Sequence, residues 1–247
     1  NLVTMKWWND IWLNESFATI ASYIAMGQAT EFKEAWTEFI MRAKGSAYWT
    51  DQLVTTHPIA FQVPNTDVVF ANFDGITYGK GASVLKQLSF YLGEEAFQKG
   101  LQHYFATYAF KNTTLNDFIG SLEVASQKDL KSWKNVWLET PQVNTIKVDY
   151  ACVAGKINRF YVLQTAPQDY PTLRPHKTRV AVFDFIGNQL KLLKTADVTY
   201  VAAKTAVEDF VGLSCDQVRF IYPNYEDFDY VKIDFDETSL STLDRKS

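Results

Sequence analysis

Cysteine and histidine are scarce in this chain of 247 residues, with two of the first and three of the second. Cys152 and Cys215 are too few for a disulfide framework and lack the close spacing of a metal motif. They read as buried free thiols, and a reducing cytoplasm follows as the default compartment. His57, His103 and His176 never stand four residues apart, so no helical histidine pair can grip a metal, and each reads as an ordinary surface or core residue. Long apolar runs are also missing: "FATIASYIAMG" is far too short to span a bilayer. Excess charge is lacking too. The net charge is −4, with Lys and Arg scattered, which argues against a nucleic-acid footprint or a polybasic membrane patch. No initiator methionine opens the chain, which reads as a piece excised from a longer protein.

What is present is apolar and aromatic material, 47% and 15% of the residues, enough for a sizeable core in more than one unit. From Asp10 to about Leu138 the apolar spacing is mostly helical. Asn9 or Asp10 can cap a first helix that Gly27 stops, and a second, roughly Ala29 to Ala43, carries Phe32, Trp36, Phe39 and Ile40 on one face. Prolines at 58 and 64 make residues 51 to 72 a loop, with one short strand at Val68 to Phe70. Helical spacing returns over Ile76 to Leu92 and Glu94 to Tyr108. Thr114 caps a further helix bearing Phe118, Leu122 and Val124, and the last runs over Leu130 to Glu139, ended by Pro141. Trp7, Trp8 and Trp12 form a cluster expected in the core.

After Pro141 the period changes to two. "TIKVDY", "RFYVLQ", "TRVAVFDF", "QLKLLKT", "VTYVA", "VRFIY" and "DYVKIDF" are short runs rich in Val, Ile, Tyr and Phe, parted by turn signals such as Gly187-Asn188 and Pro223-Asn224. Such runs predict an antiparallel β-sandwich.

Glu15, in "NDIWLNESFATIASY", is the first residue that asks for a chemical explanation. Apolar stripes flank it at helical spacing, and no Lys or Arg stands three or four positions away. A buried carboxylate needs a partner: a distant Arg, a backbone amide or a metal each satisfies that need.

"FDGITYGKGASVL", Phe73 to Leu85, is the second. Gly75, Gly79 and Lys80 suggest a phosphate loop, but that motif needs four residues between the glycines and Ser or Thr after Lys. Here there are three, and Gly81 follows.

Both stretches have a family counterpart. "NLVTMKWWNDIWLNESFA" closely resembles the aminopeptidase N family of zinc metallopeptidases, the gluzincins, and "FDGITYGKGASVL" resembles that family's second signature. The resemblance implies that Glu15 is the third zinc ligand, following an HExxH helix that would lie upstream of Asn1. It implies that Tyr78 is catalytic, its hydroxyl stabilising the oxyanion of the attacked peptide carbonyl. Asn14 is a candidate for shaping the site.

The implied fold is α+β and multidomain. Residues 1–140 resemble the mainly helical second half of a thermolysin-like catalytic domain, 141–235 a small β-sandwich, and 236–247 a linker or the start of a further helical domain. The implied parent is a zinc aminopeptidase acting on peptides with a free N-terminus, Zn2+ being its cofactor and the remainder of its own chain the partner of this segment. The HExxH helix and the GxMEN segment are both absent here, so the segment alone is expected to bind no zinc and to be inactive. A non-catalytic scaffold that kept the fold and lost its metal helix is the alternative.

Overall fold

A computed structural model describes residues 2–70, 73–187 and 189–244. The chain divides into two compact units, Asn1–Gln142 and Val143–Ser247.

The first unit is helical. Strand β1 (Thr4–Met5) precedes a 3-10 turn at Trp8–Asp10 and the long helix α1 (Ile11–Ala29). Asp10 stands at the N-cap, but its carboxylate accepts the Leu115 amide at 3.0 Å instead of capping α1. Gly27 does not stop the helix; it lies inside it, where Trp36 packs close to its Cα. Helix α2 (Ala35–Phe39) runs through a π-turn, Ile40–Lys44, into α3 (Gly45–Thr50), so the second helical stretch starts and ends later than its apolar spacing predicts. Phe39 is fully buried, but Phe32 is 63% exposed, which removes it from the expected face.

The strand expected at Val68 to Phe70 is instead the short helix α4 (Thr66–Val69), because the Asn65 side chain accepts from the amides of Asp67 and Val68. A second π-turn, Ile76–Lys80, leads into α5 (Gly81–Leu92), followed by α6 (Glu94–Tyr108). Strand β2 (Asn112–Thr113) pairs in parallel with β1, and the Thr114–Asp117 capping box starts α7 (Leu115–Ser126). Helix α8 (Lys131–Leu138) closes the unit. Trp12, Leu85, Leu88, Phe118, Leu122 and Trp137 anchor its core. Of the tryptophan cluster only Trp12 is fully buried; Trp7 is half exposed and donates to the Val63 carbonyl at 2.8 Å.

The second unit holds two sheets. Strands β3 (Thr145–Val153), β4 (Lys156–Thr165), β5 (His176–Ile186), β6 (Gln189–Tyr200), β7 (Lys204–Ala206), β8 (Phe220–Tyr222) and β9 (Lys232–Asp234) form the orders β7-β4-β3-β9 and β6-β5-β8. Both sheets feed one hydrophobic core, with Ile146, Val148, Phe160 and Val162 from the first and Val180, Val182, Val198 and Ile221 from the second. Two corrections apply. The pairing is not wholly antiparallel, since β9 runs parallel to β3. "QLKLLKT" and "VTYVA" belong to one strand, β6, which continues through Ala196 and Asp197, while β7 lies outside every predicted run. Of the expected Gly187-Asn188 turn, Asn188 lies outside the described residues. Helix α9 (Glu237–Asp244) belongs to this unit, its Ser239 hydroxyl accepting the Ile221 amide at 2.9 Å.

The expectation of free thiols is overturned: Cys152 and Cys215 form a disulfide, with Cα atoms 6.4 Å apart. The β3–β4 hairpin explains how they meet. Its turn carbonyl at Gly155 accepts the Cys215 amide at 2.9 Å, and Lys156 bridges to Ser214, so the 3-10 turn Cys215–Gln217 is held beside the end of β3. That proximity is tertiary and leaves no trace in spacing. The argument for a reducing compartment thereby loses its basis, because disulfides persist where the surroundings oxidise. No helix among the described residues is long and apolar enough to cross a membrane.

Candidate functional site

Helix α1 meets the Ile76–Lys80 turn through two consecutive residues. Ser16, fully buried, donates its hydroxyl to the Thr77 carbonyl at 2.7 Å. One position earlier, Glu15 stands close enough to the Tyr78 hydroxyl to act on it electrostatically. The structure therefore brings together the two residues singled out in the sequence. Glu15 is half-buried rather than buried, and besides Tyr78 the Asn14 amide lies 3.5 Å from its Oε1.

The glycines around Tyr78 serve close packing. A Cβ on Gly79 would sit 2.0 Å from the Ala43 carbonyl oxygen in the facing π-turn, and one on Gly81 would sit 1.9 Å from the Ser16 hydroxyl. The turn is thus wedged between α1 and the α2–α3 segment. Lys80 points to the interior, where its ammonium is 2.9 Å from the Asp51 carboxylate and 3.2 Å from the Gln142 carbonyl. Asp51 in turn accepts the Gln142 amide at 2.9 Å, so this lysine is bound in a buried ion pair. Its engagement agrees with the failed phosphate-loop spacing. Single π-turns inside helices are frequent at functional sites.

Asp74 starts the turn. Its Oδ1 accepts the amides of Ile76 and Thr77, at 2.8 and 3.1 Å, and its carbonyl accepts the Tyr78 amide at 3.1 Å. Its Oδ2 lies 3.2 Å from His57 Nε2, and His57 Nδ1 lies 2.7 Å from the Pro58 carbonyl. Sequence reasoning dismissed His57 as ordinary. The signal available was a lone acidic residue opening the glycine-rich turn, but nothing in the sequence links it to a residue seventeen positions earlier. His103 is exposed, and His176 is fully buried against Asp229 at 2.8 Å, so these two do sit as ordinary surface and core residues.

Burial pushes the Tyr78 phenol above its ordinary value, and the Glu15 carboxylate pushes it the same way. The hydroxyl stays protonated at neutral pH and remains a donor. Burial acts to depress His57, but its hydrogen bonds to Asp74 and Pro58 and the Asp74 charge outweigh this, holding the imidazole above its ordinary value. Asp74 is displaced the other way: burial would raise it, yet the His57 hydrogen bond, the turn amides and the His57 charge lower it.

Among the described residues no group of three His, Cys, Asp or Glu could hold a metal ion. Glu15 is one carboxylate donor, and its neighbours Asn14 and Tyr78 are poor zinc ligands. A complete zinc site does not fit within these residues alone.

Residues 1–137 match the model of the peptidase family M1 domain. The chain belongs to the M1 family, the aminopeptidase N family of peptidases. It is 43% identical to an aminopeptidase N of Streptomyces lividans over 98% of this chain and 29% of that relative. It is 42% identical to a probable aminopeptidase 2 of Sulfurisphaera tokodaii over 66% of this chain and 21% of that protein. A mitochondrial aminopeptidase 2 of Saccharomyces cerevisiae is 29% identical over 99% of the chain and 26% of its own length. The M1 chain thus spans under a third of the length of these relatives.

Proposed function

We propose that this chain is part of a zinc aminopeptidase that hydrolyses N-terminal residues from peptides with a free N-terminus. In this reading residues 1–140 are the second half of a thermolysin-like catalytic domain, 141–235 are a β-sandwich domain, and 236–247 lead into further chain. Glu15 holds zinc together with donors outside this chain, and the remainder of the protein is the segment's partner. Without those donors the segment alone has no complete metal site and no peptidase activity.

The observation that carries the reading is the meeting of Glu15 and Tyr78 on a contact fixed by Ser16 and Thr77, within a chain whose family is M1. The Tyr78 hydroxyl has one proton and a raised pKa, which suits it to give a hydrogen bond to an oxyanion as the tetrahedral intermediate forms. It needs no proton transfer to do so. Its anchoring in a turn packed on two helices limits the reorganisation required at that moment.

Tyr78→Phe in the full-length protein tests the reading, because it deletes one hydroxyl and leaves the ring. Steady-state kinetics on an aminoacyl anilide should show kcat lower by roughly 10²–10³-fold at nearly constant KM, the cost of one oxyanion donor. Near-normal kcat would remove Tyr78 from the mechanism.

A further inference from the structure

We infer that His57 is a positioning residue whose proton holds the Tyr78 turn in place, so that turnover falls when His57 is deprotonated. The inference rests on Tyr78 acting as the oxyanion donor.

The geometry around the imidazole carries it. Both ring nitrogens face oxygens that can only accept: Nδ1 the Pro58 carbonyl at 2.7 Å, and Nε2 the Asp74 carboxylate at 3.2 Å. A neutral imidazole has a single N–H and satisfies one of the two; its other nitrogen then turns a lone pair toward an oxygen. Only the imidazolium donates to both. The site is half-buried, with the side chains 18% and 25% exposed, so water relieves the mismatch only in part. The Phe61 ring stands edge-on at 5.2 Å and offers no hydrogen-bond partner in place of the carboxylate.

The proton's influence reaches Tyr78 through one residue. Asp74 Oδ2 takes the imidazolium, while Oδ1 takes the Ile76 and Thr77 amides and the Asp74 carbonyl takes the Tyr78 amide. When His57 loses a proton and the neutral ring keeps its remaining one on Nδ1, for the shorter 2.7 Å Pro58 bond, the Asp74 oxygen is set against a lone pair. Asp74 is then pushed away from the position that defines the first turn, and the Tyr78 hydroxyl moves with the turn. The charged groups acting on His57 are Asp74, which favours the proton, and Lys80, which opposes it from inside its own ion pair with Asp51. The raised imidazole and lowered carboxyl agree with the geometry.

Asp74→Asn in the full-length protein separates this role from plain packing. Its amide oxygen can still accept the two turn amides, while its amide nitrogen donates to Nε2, so a neutral His57 is satisfied. Two measurements apply: the His57 titration followed by NMR, and the pH profile of kcat. In the unmodified protein His57 should titrate above the ordinary value of about 6.5, and kcat should fall roughly tenfold or more as pH passes that same point, with KM little changed. In Asp74→Asn, His57 should titrate below its ordinary value and that limb of the profile should vanish. Should Asp74→Asn fail to fold, His57→Gln serves instead, with the same limb expected to be missing.

His57 titrating at or below its ordinary value in the unmodified protein overturns the inference, as does a variant profile that superimposes on the original. Failure of the underlying reading looks different: Tyr78→Phe would keep its kcat while the NMR titration of His57 stayed raised.

Discussion

The Glu15 carboxylate and the Tyr78 hydroxyl lie within electrostatic reach of each other, one residue along from the 2.7 Å bond between Ser16 and the Thr77 carbonyl. The raised phenol has two causes: burial and the Glu15 carboxylate. Glu15→Gln removes the charge, leaving burial. Tyr78 should then ionise at lower pH than in the unmodified chain, closer to 10, as followed by NMR of a ring-labelled tyrosine with Tyr78→Phe to assign the signal. An unmoved titration would mean that Glu15 and Tyr78 do not meet.

The wedged turn makes a second prediction. Gly79→Ala places a methyl 2.0 Å from the Ala43 backbone oxygen, and a backbone carbonyl cannot swing aside as a side-chain tip can. Overpacking of this kind costs about 1–3 kcal/mol or more. Denaturant unfolding should show that loss, and Tyr78→Phe kinetics should be partly mimicked, since the displaced turn carries Tyr78. A fully stable Gly79→Ala would mean that the turn and the α2–α3 segment are not packed as described.

How far the sequence reveals the site depends on the kind of relationship each residue makes. Glu15 and Tyr78 stand out in the sequence because each lies inside a contiguous signature. Helix α6 was legible from its spacing, and the Thr114 cap from a side chain acting three residues ahead. His57 and the disulfide were not, for one physical reason: each depends on a contact between segments far apart in the chain, seventeen residues in one case and 63 in the other. The misread strand at Val68 failed differently. Two β-branched residues suggested extension, but Asn65 satisfied their amide end locally and tipped the segment to helix. Intrahelical spacing could not supply a partner for Glu15, because the group beside it, Tyr78, comes from another element.

The disulfide predicts a redox-dependent stability confined to the second unit. It closes a span of 63 residues, for which the chain-entropy account gives about 4 kcal/mol of stabilisation. Thiol counting on the oxidised chain should find no free thiol, and reductant should lower the melting temperature. Cys152→Ser together with Cys215→Ser should melt like the reduced chain and ignore reductant. Two reactive thiols in protein prepared without reductant would sink the assignment.

The His57–Asp74 pair makes the stability itself pH-dependent, with a sign that follows from the two shifts. His57 is raised in the folded state, so its contribution is complete below the ordinary value of 6.5 and disappears as pH rises through the higher folded value. Asp74 is lowered, so its contribution is complete above the ordinary value of 3.8 and disappears as pH falls through the lower folded value. Between these two ordinary values both charges are in place and the pair contributes fully. Melting temperatures of the unmodified protein and of His57→Gln should therefore differ most between about pH 4 and 6.5, and converge on either side. Convergence on the alkaline side should come at the pH where NMR sees His57 lose its proton. A difference that stays constant from pH 4 to pH 9 would show that the imidazole stabilises by packing on Phe61 and not through its charge.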